Sequence, residues 1–382
     1  KTHIGVCMKK YLILTVTAGE GHNSIAKAIE NELNKNPENI IEKVDIFKEF
    51  AKPSKVKFIN DGYILACKHM PKLYNMFFRM YQKRNPNRRN TAPAQGTVKK
   101  ETPKLLKLIE EKNPDVIICT HFYPATIITN LRKKYEIKAK VVSILFDYTV
   151  HPFFECANGV DFMFTPDNSF NDILIKKGYH EDQLKDLGLP VKTEFSEFMD
   201  KNEAREKLGF QKDLPLVMIM LGGGGFGGAD KMLKKLLKCK HKIQIAVVNG
   251  KDTESKEKID KFLQKAKTEH IVKNYGFIDF VYTLMSASDI LVGKSGGVSV
   301  NESMNKNLPL ALSHNLVAQE YDNMVFLSTH NACINLTKKY TLTKAIDDLC
   351  ENPNKLEQIK SNIQKIKKPN ATRDIVKFCE AL

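Results

Sequence analysis

The sequence lacks several features that would assign a function or a location at once. It contains no tryptophan, no D-x-D triplet and no H-E-x-x-H motif, so two common kinds of metal site are excluded. No apolar run approaches the roughly 20 residues that a membrane-spanning helix needs. The first eight residues also lack the apolar core of a signal peptide. We therefore expect a cytoplasmic protein without a membrane-spanning segment.

The eight cysteines are scattered along the chain, and no C-x-x-C pair occurs among them. This spacing argues against a disulfide framework and against a zinc site. We expect most of the cysteines to be small core residues in a reducing compartment.

Acidic residues are missing from one long segment, which makes the formal net charge of +16 uneven. Residues 62–100 contain no Asp or Glu, while their cations are Lys68, Lys72, Arg79, Lys83, Arg84, Arg88, Arg89, Lys99 and Lys100. Such a segment predicts contact with phosphate, on either a nucleic acid or an anionic membrane. Because the chain shows no nucleic-acid-binding motif, we favour the membrane and expect no nucleic-acid partner.

The same segment contains a candidate amphipathic helix. Leu73, Phe77, Met80 and Tyr81 share one face, and basic or amide side chains share the other. A basic helix with aromatic residues is typical of a membrane-surface element, and we include Phe78 among its membrane candidates. A helix that packs its apolar face on a core gives the same pattern, so both interpretations stay open.

Short apolar runs alternate with helical segments along the chain. The predicted strands of a first series are Tyr11–Thr17, Asp115–Thr120, Lys140–Leu145 and Asp161–Thr165. Those of a second series are Leu216–Leu221, Ile243–Val248, Ile271–Tyr275, Asp289–Val292 and Leu308–Ala311. Near-continuous apolar strands are covered by helices on both faces, and one core rarely holds 382 residues. We predict an α/β protein with two Rossmann-like domains, 8–195 and 196–369, and a final helix over 370–382 that packs back on the first.

A glycine turn follows the first predicted strand, in the sequence TAGEGH over residues 17–22. Gly19 and Gly21 let the backbone approach a ligand at the start of a helix. His22 would face the crevice where such sheets bind ligands, which makes it a candidate general base. A tight turn without a ligand is the competing interpretation.

A second polar motif, DYTVHP over residues 147–152, ends another strand of the first series. Asp147 and His151 lie close in sequence, and a carboxylate near a histidine can act as a base or orient one. A purely structural pair gives the same motif.

Two glycine loops occur in the second series of strands. The run over residues 222–228 contains G-x-G-x-x-G, but the following strand ends in Asn249 instead of an acidic residue, which argues against a nicotinamide site. The segment 293–302 contains Lys294 and Ser295, but Ser288 replaces the leading glycine of a P-loop. Both loops still suit a phosphate at a helix N-terminus.

Polar residues follow these loops. Glu302 is placed about one turn into a helix, where a carboxylate can accept hydrogen bonds from ribose hydroxyls. Gln319, Glu320 and Asn323 fall within about one helical turn and can bind sugar hydroxyls. A solvated glutamate and a helix cap are the alternatives.

In this order, the motifs resemble those of the diacylglycerol glycosyltransferases of glycosyltransferase family 28. The resemblance runs from about Lys10 to about Phe378, and its segments are LTVTAGEGHNSIAKAI (14–29), FDYTVHPFF (146–154), GLP (188–190), MLGGGGFGG (220–228), YGFIDFVYTLMSASDILVGKSGGVSVNESM (275–304) and LPLALSHNLVAQEYDN (308–323). The long C-terminal run is the most specific part.

The resemblance implies a GT-B fold, in which two Rossmann-like domains face a cleft. It implies inverting transfer of a hexose from UDP-glucose or UDP-galactose to diacylglycerol or a glycolipid, with a β-linked product and no metal or other cofactor. The implied location is the inner face of a bacterial cell membrane. The implied donor-binding residues are Gly223, Gly224, Phe277, Ile278, Ser295, Gly296, Gly297, Val298, Glu302, Gln319, Glu320 and Asn323.

For the acceptor, the resemblance implies a loop formed by Gly19, Gly21 and His151. His22 falls on the glycine-loop histidine of the family and Asp147 on its motif aspartate, and which of them takes the acceptor proton stays open. Glu20 and Phe146 depart from the family pattern, which leaves the acceptor open. Alternatives are a transferase or epimerase that acts on another acceptor, and a sensor that binds UDP-sugar without catalysis.

Overall fold

The computed structural model describes residues 8–17, 20–50, 70–82, 94–221, 228–313 and 318–382. Its contacts divide the chain into two units. One unit runs up to Thr193 and also includes Lys368–Leu382, and the other is Glu194–Lys367. Each unit contains one six-stranded parallel sheet with helices, so the prediction of two Rossmann-like α/β domains is confirmed.

The first unit has six strands in the spatial order β2-β1-β3-β4-β5-β6. They are β1 (Lys10–Thr15), β2 (Ile40–Asp45), β3 (Val116–Cys119), β4 (Lys140–Ile144), β5 (Phe162–Phe164) and β6 (Leu184–Lys185). The helices are α1 (Glu20–Leu33), α2 (Ile46–Phe50), α3 (Pro71–Gln82), α4 (Ala94–Lys112), α5 (Phe122–Leu131) and α6 (Asn171–Lys176). Short 3-10 helices cover Pro152–Cys156, Asn168–Phe170 and Glu181–Gln183.

The strand order of this sheet reverses between β1 and β3. From β1 the chain passes to β2 on one side and then returns to β3 on the other side. The loops that follow β1 and β3 therefore diverge, and they open a crevice at the carboxyl ends of these two strands. The register pairs Leu14 with Cys119, so both strands end at the same level.

The last helix of the chain belongs to the first unit. The Val191 amide donates a hydrogen bond to the Thr372 hydroxyl over 3.0 Å, and this hydroxyl donates to the Val191 carbonyl over 2.6 Å. The Phe378 ring packs edge-on against the rings of Phe162 and Phe164, with centroid distances of 5.0 and 5.4 Å. The chain thus leaves the first unit after Thr193 and returns to it at Lys368.

The second unit has six strands in the order β12-β11-β10-β7-β8-β9. They are β7 (Leu216–Met220), β8 (Gln244–Val248), β9 (Ile271–Tyr275), β10 (Ile290–Gly293), β11 (Leu310–Ser313) and β12 (Cys333–Leu336). After α7 (Thr193–Ser196), at the boundary, its helices are α8 (Lys201–Leu208), α9 (Ala229–Leu236), α10 (Thr253–Leu263), α11 (Val281–Ala287), α12 (Gly297–Asn305), α13 (Ala318–Thr329), α14 (Leu342–Glu351) and α15 (Pro353–Ile366). The final helix, α16 (Ala371–Ala381), is the one that packs on the first unit.

The order of this sheet reverses between β7 and β10, and Gly293 is required there. A Cβ at Gly293 would lie 2.9 Å from the Met220 carbonyl oxygen of the neighbouring strand, so a larger residue would push the strands apart. The carboxyl ends of β7 and β10 flank the crevice of this second sheet.

A buried ion pair fixes α8 to the opposite, amino-terminal end of this sheet. Arg205 donates to an Asp289 carboxylate oxygen over 2.6 Å, and its Nε donates to the Ala287 carbonyl over 3.0 Å. The same carboxylate oxygen accepts the Leu216 amide of β7 over 2.7 Å. Because both charged groups are hydrogen-bonded, their burial is tolerated.

None of the helices in the described part of the chain is long and apolar enough to span a bilayer.

Candidate active site

His22 lies at the crevice of the first sheet, in the first turn of α1. Its side chain is buried, and its Nδ1 lies 3.0 Å from the Thr120 carbonyl oxygen. A carbonyl oxygen can only accept a hydrogen bond, so Nδ1 carries the proton of the neutral ring. The Nε2 atom of His22 therefore has a lone pair and no proton, which is the state that a general base needs.

The partner of His22 is positioned by the sheet itself. Thr120 follows the last residue of β3, and its amide donates to the Leu14 carbonyl of β1 over 3.0 Å. The pairing of β1 with β3 thus fixes the carbonyl that orients His22. The group that orients His22 is therefore a backbone carbonyl held by the sheet.

Two more histidines lie beside His22 and have the opposite tautomer. His121 begins α5, and its Nδ1 accepts the Tyr123 amide over 3.0 Å. His151 begins the 3-10 helix Pro152–Cys156, and its Nδ1 accepts the Phe153 amide over 3.3 Å. Because Nδ1 accepts in both rings, the proton of each neutral ring lies on Nε2. We call His22, His121 and His151 the histidine cluster.

Aromatic rings pack the histidine cluster on several sides. The centroid of the His22 ring lies 4.1 Å from that of Phe146 and 4.5 Å from that of His121. The His121 ring is 4.1 Å from Phe122, and the Phe122 ring stacks on His151 at 4.6 Å. Rings in such contact exclude water from one another, so the histidines lie in a largely apolar site.

This burial keeps all three histidines neutral. Desolvation lowers the pKa of His22 to about 4, although the Thr120 carbonyl partly offsets the effect. Desolvation, together with repulsion from the neighbouring histidines, lowers the pKa of His151 to about 3 and that of His121 well below its ordinary range. Each ring therefore keeps its tautomer at neutral pH.

Sequence analysis found two members of this cluster and missed the third. His22 and His151 were candidates, whereas His121 was not, although it follows a predicted strand directly. Asp147 is buried close to the end of β4, next to Phe146 in the chain. Gly21 lies in the first turn of α1, and Gly19 lies outside the described residues.

In the second unit, hydrogen bonds join three of the predicted donor-binding residues. The Ser295 hydroxyl donates to the Glu320 carbonyl over 2.5 Å, and the Asn323 side-chain amide donates to the Ser295 carbonyl over 2.7 Å. These bonds fix the first turn of α13 to the loop between β10 and α12. Gln319 and Glu320 are consequently held beside the crevice of the second sheet.

Ser295 also stands at the centre of a G-x-S-x-G pattern, Gly293–Gly297, which in other folds marks a nucleophilic serine. Its side chain is fully buried and its hydroxyl is already bonded to the Glu320 carbonyl. The Ser295 hydroxyl is therefore engaged within the protein and is not presented as a nucleophile.

The remaining donor candidates fall in three segments of the second unit. Gly296 is the N-cap of α12, and a Cβ there would contact nothing within 4 Å, so the loop has open space beside it. Val298 and Glu302 are partly exposed on α12, in which Gly297 is the first residue. Phe277 and Ile278 lie in the loop after β9, and Gly223 and Gly224 lie outside the described residues.

Helix α3 carries the predicted membrane face on one side. Met70, Leu73, Met76, Phe77 and Met80 are large apolar side chains that lie 41–57% exposed. With a spacing of three or four residues they form one exposed stripe, which we call the α3 stripe.

The opposite side of α3 packs on the first unit. The Phe78 ring lies 5.4 Å from His151, and the Tyr81 ring lies 5.7 Å from Phe153. The prediction that Phe78 belongs to the exposed face is therefore wrong, because Phe78 is buried. Of the predicted membrane cations, Lys72 is exposed and Arg79 partly exposed, while Lys83, Arg84, Arg88 and Arg89 lie outside the described residues.

Among the residues that the structure describes, no group of three or more His, Cys, Asp or Glu side chains is arranged to hold a metal ion.

The lowered pKa values predict that acid destabilises the first unit. An unfolded histidine takes up a proton near pH 6.5, whereas folded His22 does so near pH 4, so the unfolded state binds more protons between these values. The free energy of unfolding should fall as the pH drops through this window, by up to about 1.4 kcal/mol per pH unit for each histidine. Urea unfolding at a series of pH values measures this slope.

Other groups also titrate in this range, so a variant isolates the contribution of one histidine. Asparagine keeps the capping acceptor and does not titrate, and His151→Asn should therefore reduce the slope by about one histidine's share. Equal slopes in the variant and the original chain would contradict the assignment.

Comparisons with known proteins place this arrangement in a family. Residues 22–191 match the monogalactosyldiacylglycerol (MGDG) synthase family model, and residues 218–375 match the glycosyltransferase family 28 C-terminal domain. The processive diacylglycerol beta-glucosyltransferase of Bacillus licheniformis is 23% identical over 372 residues, which cover 96% of this chain and 94% of the relative.

Solved structures show the same fold. Acinetobacter baumannii MurG has a TM-score of 0.63 at 14% identity, over 98% of this chain and 99% of that one. Anabaena Alr3699/HepE, in complex with UDP-glucose, has a TM-score of 0.56 at 14% identity, over 98% of this chain and all of that one. The fold is GT-B. With both family models matched in order, the chain belongs to the diacylglycerol glycosyltransferases of glycosyltransferase family 28 and is a UDP-sugar-dependent glycosyltransferase.

Proposed function

We propose that the protein transfers a hexose from UDP-glucose or UDP-galactose to the free hydroxyl of diacylglycerol, with inversion at the anomeric carbon. The product is a β-glycosyl diacylglycerol. The observation that carries this proposal is the unprotonated Nε2 of His22 at the crevice of the first sheet, with Nδ1 bonded to Thr120. The names of the relatives, diacylglycerol glucosyltransferase and MGDG synthase, support this acceptor and both hexoses.

In this reaction His22 acts as the general base. The acceptor hydroxyl passes its proton to Nε2 while its oxygen forms a bond to C1 of the sugar. The bond between C1 and the diphosphate oxygen breaks, and UDP leaves with the electron pair. The low pKa of His22 keeps Nε2 available for the proton at neutral pH. Burial of His22 also makes its imidazolium short-lived, because desolvation disfavours the charged ring. The Thr120 carbonyl offsets this effect in part.

The second unit holds the donor in this proposal. The N-terminus of α12 directs its backbone amides toward the diphosphate, and the open space beside Gly296 leaves room for it. Glu302 accepts hydrogen bonds from the ribose, and Gln319 and Glu320 accept hydrogen bonds from the hexose hydroxyls. Such contacts to a departing diphosphate stabilise the charge that develops on it, and no metal or other cofactor takes part.

The α3 stripe provides the contact with the membrane. Its apolar side chains point away from the first unit, while Lys72 and Arg79 lie on the same helix. An apolar face flanked by cations binds an anionic bilayer surface at the depth of the headgroups. Since the inner face of α3 packs on His151, the membrane side of the first unit is also the side of the histidine cluster. We propose that this contact is with the inner face of the cell membrane, as the resemblance to diacylglycerol glycosyltransferases implies.

The function is tested by incubating the full chain with diacylglycerol liposomes and one of three labelled donors, UDP-glucose, UDP-galactose or UDP-N-acetylglucosamine. We expect one of the two hexose donors to label the lipid fraction, as a β-glycoside. The number of sugars in the labelled lipid shows whether the product is itself an acceptor. Binding of UDP-sugar without any labelled lipid would refute the proposed acceptor and favour a sensor.

Replacing part of the α3 stripe should release the protein from membranes. The double change Met76→Glu and Met80→Glu puts two charges where apolar side chains enter the lipid, so flotation with anionic liposomes should fall at least about tenfold. Phe198→Glu is the matched control, because Phe198 is 92% exposed in the other unit. Equal flotation of the double variant and the control would exclude the α3 stripe as the membrane contact.

A further inference from the structure

The histidine cluster brings two further imidazole rings close to His22, the proposed base. Among the described residues, none forms a hydrogen bond with the Nε2 atom of His22, His121 or His151. His22 and His121 are nevertheless more than nine-tenths buried. The three Nε2 atoms are not fully enclosed by the described residues, so they are accessible to a ligand that can pair with them.

The tautomers determine which ligand atoms fit. The backbone fixes His22 with a lone pair on Nε2, and it fixes His121 and His151 with a proton on Nε2. The site therefore presents one hydrogen-bond acceptor and two donors. Within the cluster, a charge on one ring lowers the pKa of another, which shows that the three rings lie within electrostatic range.

Diacylglycerol has the complementary set of groups. Its free hydroxyl donates one hydrogen bond, and its two ester carbonyl oxygens accept one each. We propose that Nε2 of His121 and Nε2 of His151 donate hydrogen bonds to the ester carbonyl oxygens of the acceptor, while Nε2 of His22 accepts its hydroxyl proton. This inference rests on the proposed function and adds to it the residues that recognise the ester groups.

The walls of the site agree with such a ligand. The Phe122 ring lies between His121 and His151, and the Phe146 ring contacts both His22 and His121. These rings suit the glycerol carbons and the first acyl methylenes, and they offer nothing to the additional hydroxyls of a sugar. Phe78 faces inward from α3 and contacts His151, while the α3 stripe faces outward from the same helix. A bilayer that contacts the stripe therefore has its acyl chains near the histidine cluster.

The proposal predicts a preference for ester lipids over ether lipids. A dialkylglycerol has the same hydroxyl and the same chains, but it lacks the carbonyl oxygens. A site that donates to a ligand carbonyl rejects an analogue without one, because the buried N–H groups stay unpaired. We expect kcat/KM to be at least about tenfold higher for diacylglycerol than for the dialkylglycerol of equal chain length.

Two substitutions of His121 separate recognition from capping. In His121→Asn the side-chain oxygen takes the place of Nδ1 and still caps α5, but the distal N–H is lost. The ester-to-ether ratio should fall toward one while the melting temperature stays high. In His121→Gln the amide reaches the place of Nε2 but the cap is lost. The ratio should be largely retained while the melting temperature falls.

If His121 only caps α5, the ratio of kcat/KM for the ester lipid to that for the ether lipid should be unchanged in both variants. Equal turnover of ester and ether lipids by the unsubstituted protein would also overturn the proposal, although the proposed function would stand.

A binding measurement keeps the inference testable if no lipid is glycosylated. Nitrogen-15 NMR of labelled histidine side chains in the full chain should show the proton of His22 on Nδ1 and those of His121 and His151 on Nε2. A short-chain diacylglycerol in micelles should shift the two Nε2 resonances, and the matching dialkylglycerol should shift them less. Opposite tautomers, or equal shifts with both lipids, would overturn the inference. Selective shifts without turnover would support it and refute the proposed transfer.

Discussion

One hydrogen bond, from His22 Nδ1 to the Thr120 carbonyl, fixes the tautomer of the proposed base, and the proposed chemistry of the first unit depends on it. It exists because β1 and β3 are neighbours in the sheet although β2 and several helices separate them in the chain. The ladder between these strands holds Thr120 in place, and Thr120 in turn fixes the proton of His22. A side-chain carboxylate in that position would favour the charged imidazolium, whereas a backbone carbonyl stabilises it less. The proposed base is therefore neutral and held in one tautomer.

The second unit positions its polar groups by the same principle. The crevice opens where β7 and β10 are neighbours, and Gly293 allows the strands to approach there. The loop after β10 then bonds to the first turn of α13 through Ser295 and Asn323. Two helix ends thus meet at the carboxyl edge of one sheet. In both units, the candidate functional groups lie on the loops and helix N-termini that follow the strands, and the parallel sheet positions these segments.

The sequence predicted the two α/β domains because strands covered on both faces have a continuous apolar pattern. It did not predict β2 (Ile40–Asp45), whose charged residues reflect its position at the sheet edge, β6, which has only two residues, or β12 (Cys333–Leu336), at the edge of the second sheet. His22 was predicted because it follows a glycine turn after the first strand. His121 was missed because its importance depends on the adjacency of β1 and β3, which no local pattern encodes. Helix α3 was ambiguous, since an amphipathic pattern does not show which side packs, and the structure places Phe78 inward.

The central claim is that Nε2 of His22 takes the proton of the acceptor hydroxyl, and His22→Asn tests it most directly. Asparagine can still donate from its side-chain amide to the Thr120 carbonyl, but it has no ring nitrogen to act as the base. Steady-state kinetics on diacylglycerol, with UDP-sugar affinity measured in parallel, should show kcat reduced about 10²–10⁴-fold and donor affinity unchanged. Retention of kcat in a variant that is folded and binds donor would contradict the account and assign the proton to another group.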